Sequence, residues 1–512
     1  MKGRGVTAPA GARIGYSKFL VCAAKRSLAC TVAGVGLAAS AQAADLPAIE
    51  IPGITKDVLP DTLTWNGITL LGAIDVGYAF QTNGRPLGSV ISGLEFIPFT
   101  TTRNYTGQSV STIAHGGLQQ SFIGLKIEEE LGLGWTAIGR LDTAFDPLRG
   151  TLSDGCRSFV ENAGLPYNQQ NSNADSGRCG QILNGNAYGG VSNAAYGTLT
   201  FGRQATFQLD AIAAYDPMEL SYAFSLLGYS GTDAGSGSTQ AARWDNSVKY
   251  RYEYGPVHAG AMFSNGGSGT GMFGTGYAFN VGGTYNGFSL DGVYTVEHGA
   301  VNLQTSVNDV AGVTAIAANI SDNETWGAVG KYTYDFSSGL KGDGPGAKLT
   351  FYAGYTHIDQ SNPRDPVTSA NAQAAGGYAL LVADNNAFTT DKILQILWTG
   401  AKYELPSGWS FTAAYYHASQ NSYVADGIPC TLGGASRVDC AGSFDQGSFV
   451  VDYRFNKHFD VYAGVSYARV DNGLAAGFPG TPGAKTIGGV NFTGTATSVD
   501  TTDFMTGVRL RF

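Results

Sequence analysis

The sequence lacks the long apolar runs from which membrane-spanning helices are made. After residue 43, no run approaches the ~20 consecutive apolar residues that a helix needs to cross a bilayer. Charged residues are scarce, at 14% of the chain, and no Pro-rich or charged linker divides it. The sequence contains instead 73 glycines, 27 tyrosines and 26 phenylalanines. This composition is typical of many strands joined by tight turns, so we expect one large all-β domain.

Sequence patterns of hydrolases and metal sites are missing as well. The six histidines are scattered, and no GxSxG or HExxH pattern accompanies them. His417, beside strands that carry Asp and Ser, is the histidine that would best suit an enzyme of the barrel type. Asp359 and Asp365 would need backbone carbonyls to bind a divalent cation, and their spacing resembles no calcium loop. We therefore predict no catalytic residues, no cofactor and no metal ion.

The first 43 residues have the features of a cleaved secretory signal. A positive region around Lys25 and Arg26 precedes an apolar run of small residues over 28–39, and Ala41-Gln42-Ala43 fits a cleavage site before Ala44. Residues 1–43 contain six basic residues and no acid, so their removal changes the net charge from −9 to −15. So acidic an exported protein is unsuited to nucleic acid, since phosphate contacts need a basic surface.

Four cysteines remain after residue 43, as two close pairs, Cys156 with Cys179 and Cys430 with Cys440. An even number of cysteines in an exported protein predicts disulfides, because the compartment is oxidising. Three connectivities are possible, and only the local one keeps each bridge within a single loop. A zinc site is the alternative, although neither pair has CxxC spacing.

Apolar and polar side chains alternate along many segments of about ten residues, as expected of strands that have lipid on one side and water on the other. The last segment is the cleanest. Its two faces carry Phe504, Thr506, Val508, Leu510 and Phe512 on one side and Asp503, Met505, Gly507, Arg509 and Arg511 on the other. Between residues 392 and 404 the alternation shifts phase, and we expect a β-bulge there.

About sixteen such segments occur, and their connections alternate between short turns and long loops. The predicted strands are 68–80, 118–130, 134–145, 186–194, 198–204, 243–254, 257–264, 277–286, 287–297, 324–336, 347–358, 392–404, 408–419, 445–456, 458–468 and 502–512. A soluble β-sandwich is the alternative, but its strands would be shorter and its polar face less charged. We predict an all-β fold, a transmembrane antiparallel β-barrel formed by residues 68–512 after a lead segment at 44–67.

Several segments, taken in order, resemble the general trimeric porins of Gram-negative outer membranes. They are Ser121-Phe-Ile-Gly-Leu-Lys126, Ile138-Gly-Arg-Leu-Asp-Thr-Ala-Phe-Asp146, Ala187-Tyr-Gly-Gly-Val-Ser192, Tyr196-Gly-Thr-Leu-Thr-Phe-Gly-Arg-Gln204, Asn246-Ser-Val-Lys-Tyr250, Gly400-Ala-Lys-Tyr-Glu-Leu405 and Arg511-Phe512. The resemblance implies a sixteen-stranded homotrimeric barrel in outer-membrane lipid and lipopolysaccharide that admits ions and small hydrophilic solutes by passive diffusion. Phe512 is similar to the family's terminal signal for the barrel-assembly machinery.

The resemblance also implies that the third loop, residues 205–242, folds into the lumen and narrows it, and that the second loop, 146–185, contacts a neighbouring subunit. Opposing charges at such a point would create a transverse field. The candidate acids of the loop are Asp210, Asp216, Glu219 and Asp233, and the candidate bases of the wall are Lys126, Arg140, Arg203, Arg243, Lys249 and Arg251. The alternative is that these charges pair with one another or with turn backbones.

Two positions depart from the family pattern. Phe122 stands where the family commonly has a lumen-facing arginine, and Gly185 stands where it often has another, whereas Arg203 is retained. Tyr215, Tyr222, Phe224 and Tyr229 lie in the third loop, where they would line a path for sugars or aromatic acids or, as we favour, pack the loop on the wall. A specific uptake channel, a barrel enzyme and an adhesin with a closed lumen are the competing functions.

The missing arginines and the charge of −15 predict a mild preference for cations. The reversal potential of the purified pore in a salt gradient measures this preference. Anion preference would contradict it. Charge on the outer loops contributes little to this preference, because it is screened within about 8 Å at physiological salt.

Overall fold

A computed structural model describes the chain at residues 63–82, 109–148, 150–152, 182–228, 242–266, 274–305, 316–336, 346–366, 380–385, 388–422, 424–425, 441–472, 485–487, 490–492 and 498–512. The predicted signal peptide and nearly all of the lead segment lie outside these residues. So do most of the second loop, Asp233, Tyr229 and the four cysteines Cys156, Cys179, Cys430 and Cys440.

The wall of the molecule is a closed antiparallel sheet of sixteen staves, each a single strand except the second, which consists of two strands in line. The staves are β2 (Ile68–Gln81), β3 (Val110–His115) with β4 (Phe122–Gly132), β5 (Trp135–Asp146), β7 (Ala187–Asn193), β8 (Gly197–Ala205), β9 (Arg243–Tyr254), β10 (Val257–Asn265), β11 (Thr275–Tyr285), β12 (Phe288–Thr305), β13 (Ile316–Asp335), β14 (Lys348–Ser361), β17 (Lys392–Glu404), β18 (Trp409–Gln420), β20 (Gly442–Arg454), β21 (Phe459–Asn472) and β24 (Ser498–Arg511).

The remaining strands are short. They are β1 (Leu63–Trp65), β6 (Thr151–Leu152), β15 (Leu380–Asn385), β16 (Phe388–Thr390), β19 (Val424–Ala425), β22 (Lys485–Ile487) and β23 (Val490–Phe492). β1, at the end of the predicted lead segment, pairs with β2. β15 adds to β13 in parallel. No helix in the part of the chain that the structure describes is long and apolar enough to cross a membrane.

The barrel closes where β2 pairs with β24, from Ala73 opposite Arg511 to Gln81 opposite Asp503. The terminal residue completes this seam, since Phe512 donates its N–H to the Gly72 carbonyl (3.1 Å) and accepts from the Gly72 N–H (2.8 Å). The predicted faces of the last strand are confirmed. Its outward face exposes Phe504, Val508 and Leu510, while Asp503, Met505 and Arg509 are buried on the lumen side.

All sixteen predicted segments correspond to staves, but the second differs in its course. Instead of one strand over 118–130, β3 and β4 are separated by an inward turn at residues 116–121. Gly116, at φ +73°, starts the turn. The Asp75 carboxylate fixes it by accepting the N–H groups of Leu118 and Gln119, both at 2.9 Å, and the Tyr462 hydroxyl at 2.7 Å.

The predicted bulge between residues 392 and 404 is wrong. β17 pairs in continuous register with both β14 and β18. The alternation shifts because Leu394, Ile396 and Trp398 point into the lumen yet are fully buried there. Register shifts between described staves occur elsewhere, for example at Gly202/Gln204 in β8, at Glu297/Ala300 in β12 and at the β4–β5 turn.

Near the seam, one buried carboxylate binds two guanidinium groups. Asp460 is 0% exposed, lies 3.1 Å from the Arg509 Nε and also bonds to Arg511. We expect Asp460→Ala to lower the free energy of unfolding by about 3 kcal/mol, since it leaves a buried charge without its partner. Urea unfolding of the protein in lipid vesicles, followed by tryptophan fluorescence, measures the change.

Asp471→Ala is the matched control, because Asp471 also binds an arginine, Arg469, that is half-exposed. We expect it to cost less than about 1 kcal/mol, as for other solvent-exposed ion pairs. Equal losses in the two variants would contradict a special role for burial at Asp460.

Candidate functional site: the passage beside the inward loop

The lumen is partly filled by an inward loop, here called the constriction loop, which we define as residues 206–228. It leaves β8 as a short helix, α1 (Phe207–Tyr215). The Thr206 side chain caps this helix by accepting the Leu209 N–H at 3.2 Å. Asp216 and Pro217 end it, because a residue before proline avoids the helical conformation. The predicted inward third loop is therefore present, although residues 229–241 of it lie outside the described chain.

The hydrophobic core of the protein lies inside the barrel, between the constriction loop and the lumen wall. Phe207, Ile212 and Phe224 of the loop are fully buried against wall residues that include Trp398 and Tyr416. The wall makes room for the loop with glycines. A Cβ at Gly260 would approach the Phe207 ring to 2.3 Å. Tyr215 and Phe224 therefore pack the loop on the wall.

Polar contacts fix the loop at intervals along the wall. The Trp398 indole donates to the Tyr215 carbonyl at 3.0 Å, and the Tyr215 hydroxyl donates to Asp291 at 2.7 Å. Further along, Gln446 donates to the Phe224 carbonyl at 3.0 Å. The last part of the loop rests on the inward turn of the second stave, since Ser221 donates to the Gly117 carbonyl at 2.6 Å.

Asp216, a candidate acid of the pore, lies inside the loop rather than in the passage. It is 1% exposed and accepts hydrogen bonds from the Tyr416 hydroxyl (2.5 Å), the Ser225 hydroxyl (2.6 Å) and the Leu220 N–H (2.8 Å). Burial raises the pKa of this carboxyl, and these hydrogen bonds oppose the rise. Its geometry is that of a residue that shapes the loop.

Glu219, by contrast, points into the open lumen. Glu219 and Leu220 both adopt positive φ angles, +55° and +60°, which residues other than glycine rarely adopt. Strain of this kind is held in place by the surroundings, here by the bonds to Asp216. Burial acts to raise the pKa of Glu219, but Lys402, helped by Arg509 and Arg511, outweighs it and lowers the pKa. The carboxylate is therefore charged at neutral pH.

A cavity of about 420 Å³, here called the passage, lies between the constriction loop and the wall, where it is lined by β4, β5, the residues just before β7, the end of β8 and the start of β9. Its charged lining residues are Arg140, Asp142, Asp210, Glu219 and Arg243, and the others include Gln119, Gln120, Phe122, Gly185, Leu209, Leu220 and Tyr222. Both positions that depart from the family pattern, Phe122 and Gly185, thus lie on the passage. Two carboxylates of the loop and two guanidinium groups of the wall therefore share one cavity.

The other candidate bases lie away from this lining. Arg203 is buried, where it binds Asp245 at 2.7 Å and the carbonyls of Asn184 and Gly185. Lys249 is mostly buried and binds Asp210. The remaining two are paired on the lumen side with neighbours in their own strands, Lys126 with Glu128 at 2.7 Å and Arg251 with Glu253 at 3.7 Å.

Four residues that line the passage or bind its acids were missed in the sequence. Asp142 lies in a segment that carries the family resemblance, so its alternation with Arg140 was available as a signal. Gln119 and Gln120 reach the passage through the inward turn, which Gly116-Gly117 marks as a break in the strand. Lys402 lies 183 residues from its partner Glu219, and no local pattern connects the two.

His417, the histidine best suited to an enzyme, binds Asp445 at 2.8 Å on the outward face of β18. The neighbouring Tyr415 hydroxyl donates to the same carboxylate at 2.5 Å. Within the described ranges no group of three or more His, Cys, Asp or Glu side chains could hold a metal ion.

Comparison with known proteins places the chain in a family. The model of the family described as Gram-negative porin matches residues 28–473. No curated protein matches the sequence. Similar solved structures include in-vitro folded OmpT, an outer membrane protein of Vibrio cholerae (14% identity, 88% of this chain and 100% of that one, TM-score 0.48). Others are the outer membrane channel DcaP of Acinetobacter baumannii (12%, 87% and 97%, TM-score 0.46) and Salmonella typhi OmpF in complex with daunomycin (15%, 88% and 100%, TM-score 0.44).

The family match spans most of the chain, from before the barrel to the end of β21. It agrees with the closed sixteen-stave barrel and with the loop folded into its lumen. The family match indicates a channel rather than an enzyme. The chain therefore belongs to the Gram-negative porin family and forms a β-barrel diffusion channel in the outer membrane.

Proposed function

We propose that ions and small hydrophilic solutes cross this porin through the passage beside the constriction loop, and that Arg140, Arg243, Asp210 and Glu219 act on them there. The observation that supports this route is the lining itself. Charges of both signs surround a cavity of about 420 Å³, while the rest of the loop is packed against the wall. Solutes are then selected by their size and by the field across this point.

The candidate residues differ in where their charged groups lie. Asp210 and Glu219 present carboxylates on the loop side, and Arg140 presents a guanidinium on the wall side. Asp216 and Arg203 shape the loop and its surroundings, and Lys126 and Arg251 lie outside the lining. A field across the passage orders water and disfavours apolar solutes, because a hydrated polar solute replaces the ordered water at less cost.

The assembly is proposed on the family relationship. We expect a homotrimer of barrels formed by residues 68–512, in contact with outer-membrane lipid and lipopolysaccharide, after removal of residues 1–43. Phe512, at the seam, is the proposed contact for the barrel-assembly machinery. Two disulfides, Cys156–Cys179 and Cys430–Cys440, would each close one loop.

Purified protein in a planar lipid bilayer should produce large, steady conductance steps that occur in groups of three. This outcome follows from three open barrels inserted together and needs no energy source. Absence of channel activity would contradict the proposed function, and steps that occur singly would contradict the trimer.

Phe122→Arg tests the position of the passage. It restores a positive charge to the lining, so we expect a shift of the reversal potential towards anion preference and a lower single-channel conductance. Thr136→Arg is the matched control, because residue 136 shares the lumen face of β5 with Arg140 but lies ~13 Å along the strand, beyond one screening length of about 8 Å. An equal shift in both variants would argue against a passage at Phe122.

A further inference from the structure

Two lysines that do not line the passage contact two carboxylates of the constriction loop that do line it. We call Lys249 of β9 and Lys402 of β17 the paired lysines. The Lys249 Nζ lies 2.5 Å from the Asp210 Oδ2, and Lys402 bonds to the Glu219 Oε1. The side chains of the lysines are 14% and 13% exposed, whereas those of Asp210 and Glu219 are 36% and 55% exposed. The carboxylates are therefore more exposed than the lysine ammonium groups that bind them.

The wall opposite has the reverse arrangement. The Arg140 Nε binds the Asp142 Oδ1 at 2.7 Å, and here the arginine is the more exposed partner, at 28% against 9%. The Asn186 amide also donates to Asp142, at 2.8 Å, and holds this carboxylate in place. Asp142, Asp210 and Glu219, the three acids of the lining, thus each have a basic partner.

Other contacts hold the paired lysines in position. Lys249 also donates to the Ala205 carbonyl at 2.9 Å, and its Nζ lies 4.7 Å from the centre of the Phe207 ring. Lys402 lies 3.8 Å from a second carboxylate, that of Glu404. An ion pair held in this way keeps its carboxylate on the lining of the passage and its ammonium group off the lining.

A cation bound to a carboxylate cancels much of the field that the carboxylate projects, since the two opposite charges act on a passing ion from nearly the same distance. We propose that Lys249 and Lys402 set the ion selectivity of this channel by partly cancelling the negative charge that Asp210 and Glu219 present to the passage. The inference rests on the proposed passage. It assigns a role in specificity to two residues that do not line the route.

The test removes the positive charge and leaves the lining unchanged. The reversal potential of Lys402→Met in a KCl gradient should shift towards the potassium equilibrium value, with the ratio of potassium to chloride permeability raised about threefold, as estimated for a unit charge ~6 Å from a water-filled path. The double variant Lys249→Met/Lys402→Met should exceed either single variant. An unchanged ratio in Lys402→Met would overturn the proposal.

Three further variants separate neutralisation from anchoring of the loop. Glu219→Gln added to Lys402→Met should return the permeability ratio to the wild-type value, because it removes the charge that the lysine had masked. Lys402→Arg should keep the wild-type ratio. Lys331→Met is the matched control, since Lys331 contacts the loop through the Ala214 carbonyl at 2.9 Å and binds no acid there. It should produce no comparable shift.

Two results would overturn the proposal and indicate displacement of the loop. One is a permeability ratio in Lys402→Met/Glu219→Gln that does not return to the wild-type value. The other is a comparable shift in Lys331→Met. Absence of conductance in the wild-type protein would instead overturn the proposed function. Normal wild-type conductance with no shift in Lys402→Met contradicts only the role of the paired lysines.

Discussion

The structure depends on the closure of its sheet between the first and last staves. Within a bilayer no water can satisfy a backbone N–H or C=O, so a spanning sheet must have no free edge. Here β2 pairs with β24 over residues 73–81, and Phe512 and Gly72 exchange two further hydrogen bonds. The buried Asp460, bound by Arg509 and Arg511, lies beside this seam. The lumen, and with it the position of the lumen loop, requires this closed ring.

Within that ring, the constriction loop replaces water by a hydrophobic core on one side of the lumen. The loop packs Phe207, Ile212 and Phe224 on the wall. The wall contributes Trp398 and Tyr416 to this core, and its glycines leave space for the rings. Among the described residues, the cavity beside Arg140 stays open. The same packing brings the loop carboxylates within reach of wall lysines. The packing of the loop on the wall therefore determines both the position of the loop and the charges near the passage.

Much of the barrel could be predicted from the sequence because alternation is a local property. The bounds of β9 and β17 agree with the predicted strands, and the faces of β24 follow its alternation. Alternation failed where tertiary contacts override it. In β17 the lumen face is apolar because the loop covers it, and in the second stave the turn at residues 116–121 serves the passage rather than the sheet. Charge pairing across the lumen, as between Glu219 and Lys402, leaves no local trace.

The sequence by itself determined the class of fold, the number of staves and the presence of a loop that enters the lumen. These follow from period-two alternation, from the rhythm of turns and loops, and from ordered family-like segments. Only the tertiary structure decided which charges face the passage. Asp216 and Glu219 are three residues apart in one loop, yet the first is buried among hydroxyl groups and the second projects into open space. That difference comes from the course of the loop across the wall, because side-chain exposure depends on neighbours that are distant in the chain.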